Sequence, residues 1–333
     1  MMRAVALVLL LAVAPAFGAT DEELTDLAKR AAGGQQEARE ALEKLSREGD
    51  AGAALLLGML YVSGRGVPQN EARAIEQFSI SALKGRVDAA HNLAVVYQRA
   101  PDKLRNLEAA RTWYRSAAER GYARSQANLG EMLLEGSGGP ADIDAARGWI
   151  EKAAAQDEPR GLYLLGMLQL EGRAGLEKNP EAAAKLLQRA AAGKDRDAQY
   201  RLALLYGTGQ GVEKDEQVAL RLLTEAAAQR LPEAEYRMAT IYARGAFGVQ
   251  KDEAAAVKWL RLAARQGHLE ATYSLGLMYA EGRGVKADSS EAYGWMLDAA
   301  RKGHPRAIEY VQRIQARRSA SPQPAPPKAE DGK

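Results

Sequence analysis

Few side chains in this sequence have the type and spacing that chemistry requires. The 333 residues include three histidines and no cysteine, so thiolate nucleophiles, thiolate metal sites and disulfides are all excluded. His268 and His304 each follow a glycine, at Gly267 and Gly303. On equivalent neighbouring helices they would stand roughly 10 Å apart, and two imidazoles with no third ligand make a poor zinc site. His91 reads as a packing or surface residue. Ser81-Ala82-Leu83-Lys84 has the Ser-x-x-Lys spacing of serine acyl-transfer enzymes, but neither Ser-Asp-Asn nor Lys-Thr-Gly occurs to complete such a site. Gly136-Ser137-Gly138-Gly139 and Gly207-Thr208-Gly209 lack the lysine of a phosphate loop. No catalytic residue, cofactor motif or metal site is expected.

Recognition chemistry is better represented. Tyr163, Tyr200, Tyr236 and Tyr273 recur at near-constant spacing, and four residues after them stand Met167, Leu204, Thr240 and Leu277. A spacing of four places two side chains on one helix face. Phenol rings offer apolar area and a hydrogen bond at small entropic cost, which suits contact with an extended peptide. The same rings can instead pack between successive helices, and the residues alone leave both readings open. The candidate partner-binding set is therefore Tyr163, Tyr200, Tyr236 and Tyr273 with Met167 and Leu204.

A repeat positions these residues. The dipeptide slot Leu57-Gly58 returns as Leu93-Ala94, Leu129-Gly130, Leu165-Gly166, Leu202-Ala203, Met238-Ala239 and Leu275-Gly276, every 36 or 37 residues. A fixed period of that length marks units that bury their apolar faces only by stacking on neighbours. Within the unit Ala271–Gly303, Ala271, Leu275 and Met278 keep helical rhythm, and Gly282-Arg283-Gly284 then breaks the helix. A second helix begins at Asn70, Asn106, Asp142, Asn179, Asp215, Asp252 and Asp288, all short acceptors of the kind that cap a first turn. Two methyl-only columns run along it, from Ala74 to Ala292 and from Ala82 to Ala300. They predict close helix approach on that face. Between the columns lie Trp113, Trp149, Trp259 and Trp295, which read as core.

The pattern Ala-x-x-x-Leu-Gly-x-x-Tyr-x-x-Gly-x-Gly-Val-x-x-Asp-x-x-x-Ala-x-x-Trp-x-x-x-Ala-Ala-x-x-Gly resembles the Sel1-like repeat, a relative of the tetratricopeptide repeat with a longer glycine turn. The resemblance implies an all-α, right-handed α-solenoid of helix-turn-helix repeats and places the tyrosine column toward a concave groove. It is specific for fold and carries no particular function. Two departures make the central repeats less regular. Ala100-Pro101-Asp102 replaces the glycine turn of the second repeat, and Asp157, Lys194 and Arg230 replace the glycine that ends the second helix.

The remaining chain divides around that core. Residues 1–19, with Arg3 before an apolar run and small residues at Ala16, Gly18 and Ala19, read as a signal peptide. Residues 20–49 read as N-terminal capping helices, 50–304 as seven repeats, 305–318 as a C-terminal capping helix and 319–333 as a disordered proline-rich tail. A formal charge of +3, with basic and acidic residues interleaved, argues against a nucleic-acid partner. The expectation is a non-enzymatic periplasmic adaptor for protein or peptide partners in the cell envelope, with no transmembrane segment in the mature chain. Two alternatives are a secreted factor that engages a host protein and a hydrolase acting on cell-wall material.

Overall fold

The computed structural model describes residues 19–101 and 103–320, and all regular structure among them is α-helical. The expected leader up to residue 18 and the proline-rich stretch from residue 321 lie outside the described residues. Two short helices come first, α1 (Asp21–Ala32) and α2 (Gln36–Arg47). Three pairs follow in a unit that ends at Gln156: α3 (Ala51–Ser63) with α4 (Glu71–Leu83), α5 (Val87–Arg99) with α6 (Leu107–Glu119), and α7 (Ala123–Glu135) with α8 (Ile143–Ala155). A second unit starts at Asp157 and contains α9 (Pro159–Glu171) with α10 (Pro180–Ala192), and α11 (Arg196–Thr208) with α12 (Glu216–Ala228). It continues through α13 (Pro232–Arg244) with α14 (Glu253–Arg265) and α15 (Leu269–Glu281) with α16 (Ser289–Arg301) to α17 (Pro305–Ala320). Within each unit a second helix packs on its own partner and on the first helix of the next pair. This is the α-solenoid class of fold, and α17 runs past the expected end at residue 318.

Every second helix starts from the same cap. The side chains of Asn70, Asn106, Asp142, Asn179, Asp215, Asp252 and Asp288 each accept a hydrogen bond from a backbone amide in the first turn. Their own amides reach back across the turn: Asn70 N donates to Tyr61 O, Asn106 N to Tyr97 O, and Asp288 N to Tyr279 O, at 2.9–3.0 Å. The turn after Ala100-Pro101 closes with this bond although it lacks the glycines, so the second repeat keeps its geometry.

The glycine three residues after the end of a first helix answers to a second constraint. Gly138, Gly211 and Gly284 have φ of 72°, 70° and 64°. Each lies against the opening residue of a second helix one repeat earlier, where a Cβ would overlap the carbonyl oxygen of Leu107, Pro180 or Glu253. Backbone therefore touches backbone from repeat to repeat. The turns of the two 37-residue repeats hold an extra left-handed residue, Ala174 (φ 54°) and Phe247 (φ 56°), just before the left-handed Gly175 and Gly248. At the other connection Asp157, Lys194 and Arg230 adopt φ of 57°, 64° and 62°, the region taken there by Gly85, Gly121, Gly267 and Gly303. The irregularity expected at these three residues is absent from the backbone and is met instead by strain at non-glycine residues.

Core packing corrects one reading of the sequence. The alanines from Ala74 to Ala292 are fully buried, as expected, but Trp113, Trp149, Trp259 and Trp295 are only half-buried at the edge of the core. The centre belongs to the next residue along: Phe78, Tyr114, Ile150, Leu187, Leu223, Leu260 and Met296 are all buried. At about 100° per residue, positions 0, 4, 7 and 8 of this helix form one stripe, and position 3 falls off its edge. The Leu-Gly slot faces these large residues. A Cβ at Gly58 would stand 2.5 Å from the Phe78 ring, and one at Gly130 would stand 2.5 Å from Ile150 Cγ1. The slot glycine is thus the hole and the residue after the tryptophan column is the knob.

Candidate binding face

The four candidate tyrosines lie on the first helices α9, α11, α13 and α15, and all are half-buried, as are Met167 and Leu204. Two of the tyrosines, Tyr236 and Tyr273, stack on the residue that opens the next pair, and no ring stack joins one of these tyrosines to another among the described residues. Tyr236 stacks on His268 with centroids 4.7 Å apart, and Tyr273 on His304 at 4.1 Å. Tyr163 lies under the Arg160 guanidinium, whose carbon is 4.7 Å from the ring centroid. Burial raises the Tyr163 phenol above its ordinary pKa. Tyr236 and Tyr273 are therefore partly committed to packing between repeats, while all four rings retain solvent access.

The two histidines paired with these rings are helix caps, a role the sequence reading missed. His268 Nδ1 accepts from Ala271 N at 3.1 Å, and His304 Nδ1 accepts from Ala307 N at 3.3 Å. With Nδ1 accepting, the proton of neutral His304 sits on Nε2, 3.3 Å from Glu270 Oε1. Burial lowers the pKa of His268. The signal was present in register, since Asp50 and Asp195 cap α3 and α11 from the same position.

His91 occupies the tyrosine register two repeats before Tyr163 and packs against Tyr122 at 5.0 Å and Tyr114 at 5.6 Å. Its Nδ1 lies 2.9 Å from Ser125 Oγ. A hydroxyl beside an imidazole is the start of a nucleophile pair, but Ser125 is fully buried and the His91 side chain nearly so. Burial, followed by the charges of Arg124 and Arg99, lowers the His91 pKa to about 4. Ser81 is also fully buried, and its hydroxyl donates to Ala51 O at 2.7 Å. Neither serine presents an attacking oxygen to solvent. No group of three or more His, Asp or Glu among the described residues could hold a metal ion.

A polar ladder runs beside the tyrosines. Gln126, Gln199 and Glu235 share one register, and each pairs with the residue that ends its second helix: Gln156, Gln229 and Gln266, at 2.8, 2.8 and 2.6 Å. Glu235 is fully buried, and its Oε1 accepts no hydrogen bond, although Arg230 Nε lies 3.4 Å away. Burial raises its pKa, opposed by the Gln266 hydrogen bond and the Arg230 charge. The fold therefore favours the protonated acid. What this group contributes to stability is full below the unfolded-state value, about 4.3, and is lost as pH rises through the folded value. Glu235→Gln restores the residue type of Gln126 and Gln199. It is expected to raise unfolding free energy at pH 7 by about 1 kcal/mol and to change little near pH 4. Denaturant midpoints of both proteins at the two pH values check this.

The sequence reading also missed a small cavity. Between α11, α13 and the turn after α13 lies a space of about 220 Å³, lined by Ala203, Leu204, Gly207, Leu223, Thr240, Ile241 and Phe247, with Arg237 and Arg244 at its border. Leu204 is the one candidate residue that reaches it. The signal was the 37-residue step, since Phe247 sits on the added residue of a long turn.

Helix pairing, turn geometry and capping register define a chain of stacked Sel1-type units. The Sel1 repeat family model matches residues 51–85, 87–122, 123–158, 159–195, 196–231, 232–268 and 269–304, and the chain belongs to that family. Two solved structures are similar over most of the chain. A Sel1 repeat protein from Oxalobacter formigenes is 28% identical with a TM-score of 0.60, the match covering 89% of this chain and 90% of that one. A protective antigen of uropathogenic Escherichia coli with the SLR fold is 28% identical with a TM-score of 0.55, over 88% of this chain and 67% of that one. The fold is a repeat scaffold of the kind suited to protein–protein interaction. No helix among the described residues is long and apolar enough to cross a membrane.

Proposed function

We propose that this protein is a non-enzymatic adaptor of the bacterial cell envelope, exported to the periplasm, which binds protein or peptide partners along its first helices. One observation carries the reading. Tyr163, Tyr200, Tyr236 and Tyr273 recur in one register and all stay half-exposed, with Tyr236 and Tyr273 anchored between repeats by His268 and His304, giving rigid aromatic area at low entropic cost. Arg3 and the apolar run after it support export by a signal peptide. The likeness to a protective antigen supports an envelope or extracellular setting, and secretion with a host-protein partner is the second reading.

The test is affinity capture from native envelope with wild type and with Tyr200→Ala/Tyr236→Ala. A recognition role predicts loss of the captured partner with a nearly unchanged thermal midpoint. A large fall in midpoint, or full capture at a normal midpoint, would remove these tyrosines from the site.

A further inference from the structure

The cavity between α11 and α13 is built by a residue the repeat does not need. Phe247 is the extra residue of its turn, and its φ of 56° is one that bulky side chains rarely adopt. The corresponding residue of the other long turn is Ala174, at φ 54°. The Phe247 ring reaches back one repeat, with Cζ 3.3 Å from where a Cβ of Gly207 would stand, and Gln217 Nε2 holds its carbonyl at 3.2 Å. A local cost is thus accepted to set an aromatic wall beside Leu204, Leu223 and Ile241. At about 220 Å³ the space is smaller than the roughly 300–1,000 Å³ of small-molecule pockets. It suits a single large side chain.

The border is cationic. Arg237 and Arg244 are exposed, and neither forms an ion pair or a ring contact with any described residue. Seven residues apart on α13, they share one face about 10 Å apart along the axis. That separation exceeds what one carboxylate or phosphate spans. It matches acidic side chains three residues apart on an extended chain of polyproline II type, which rises about 3.1 Å per residue and returns to the same side every third residue.

We propose that this pocket takes the apolar anchor of an extended acidic peptide, with flanking Asp or Glu carboxylates on Arg237 and Arg244. The proposal rests on the adaptor reading and adds to it a site and a ligand class. The probe is a labelled glycine-serine peptide with one phenylalanine between two glutamates three positions apart, followed by fluorescence anisotropy. Wild type is expected to bind it at least tenfold more tightly than the same peptide with lysines for glutamates, or with glycine for phenylalanine. Arg237→Glu/Arg244→Glu should reverse the charge preference. Phe247→Gly should weaken binding at least tenfold while melting stays the same or rises, because the left-handed residue becomes glycine.

Absent binding, equal affinity for the glutamate and lysine peptides, or equal affinity for a labelled single-stranded oligonucleotide would each overturn the proposal. The two readings fail separately. If Arg237→Glu/Arg244→Glu captures the envelope partner normally while Tyr200→Ala/Tyr236→Ala does not, the adaptor stands and the pocket falls.

Discussion

Gly284→Ala is expected to lower unfolding free energy by about 2–5 kcal/mol, a loss out of proportion to a single methyl group. Two costs coincide at this residue. Its φ of 64° belongs to the left-handed region, and its Cβ would overlap the carbonyl oxygen of Glu253, which belongs to a helix and cannot turn aside. Gly267→Ala separates the two effects, because φ there is 89° but nothing lies within 4 Å of the new methyl. That variant should lose only about 1–2 kcal/mol. Paired denaturant melts check the ordering. Equal losses would mean that the contact between neighbouring turns yields easily and does not hold the repeats in register.

The second large effect is expected at Tyr114. Its ring is fully buried, its hydroxyl donates to Gln98 Oε1 at 2.9 Å, and burial raises its pKa to about 12. Tyr114→Ala should cost about 3–5 kcal/mol. Trp113→Ala removes a larger ring from the adjacent position but should cost only about 1–2 kcal/mol, because the indole is half-buried at the core edge. Nearest-neighbour coupling in a stacked array confines both losses at first to the adjoining repeats. Hydrogen exchange should therefore show early opening of α5, α6 and α7 in the tyrosine variant. A costlier tryptophan variant would return the indoles to the centre of the core.

That contrast shows where sequence reasoning reached and where it stopped. Period, turns and caps were legible because each depends on a local rule: seven Asn or Asp residues can be lined up without knowing what they touch. The tryptophans misled because size was taken for depth, whereas the stripe's centre depends on which neighbours close over it. The histidine caps escaped, although their partners lie only three residues on, because imidazole is not among the usual capping side chains, and the Glu235 pairing escaped because Gln266 sits at the far end of the second helix. Phe247 was visible only as a spacing of 37 residues. What it encloses depends on side chains from α11, α12 and α13 that no local pattern brings together.

The bond that closes each turn has a consequence for how such a chain can change. Asn106 N on Tyr97 O, Asn179 N on Gln169 O and Asp215 N on Tyr206 O, all at 2.9 Å, span turns that differ in both length and residue type. Because the ends are tied in the same way whatever lies between them, added chain leaves the pairing of its own two helices intact, even where the added residue is Phe247 and its ring lies back on the preceding repeat. The closure entropy of the turn grows by only about 0.6 kcal/mol for each doubling of length. The turn is thus a socket into which foreign segments can be spliced, provided that the residues touching the preceding repeat, such as Gly138, Gly211 and Gly284, keep their places.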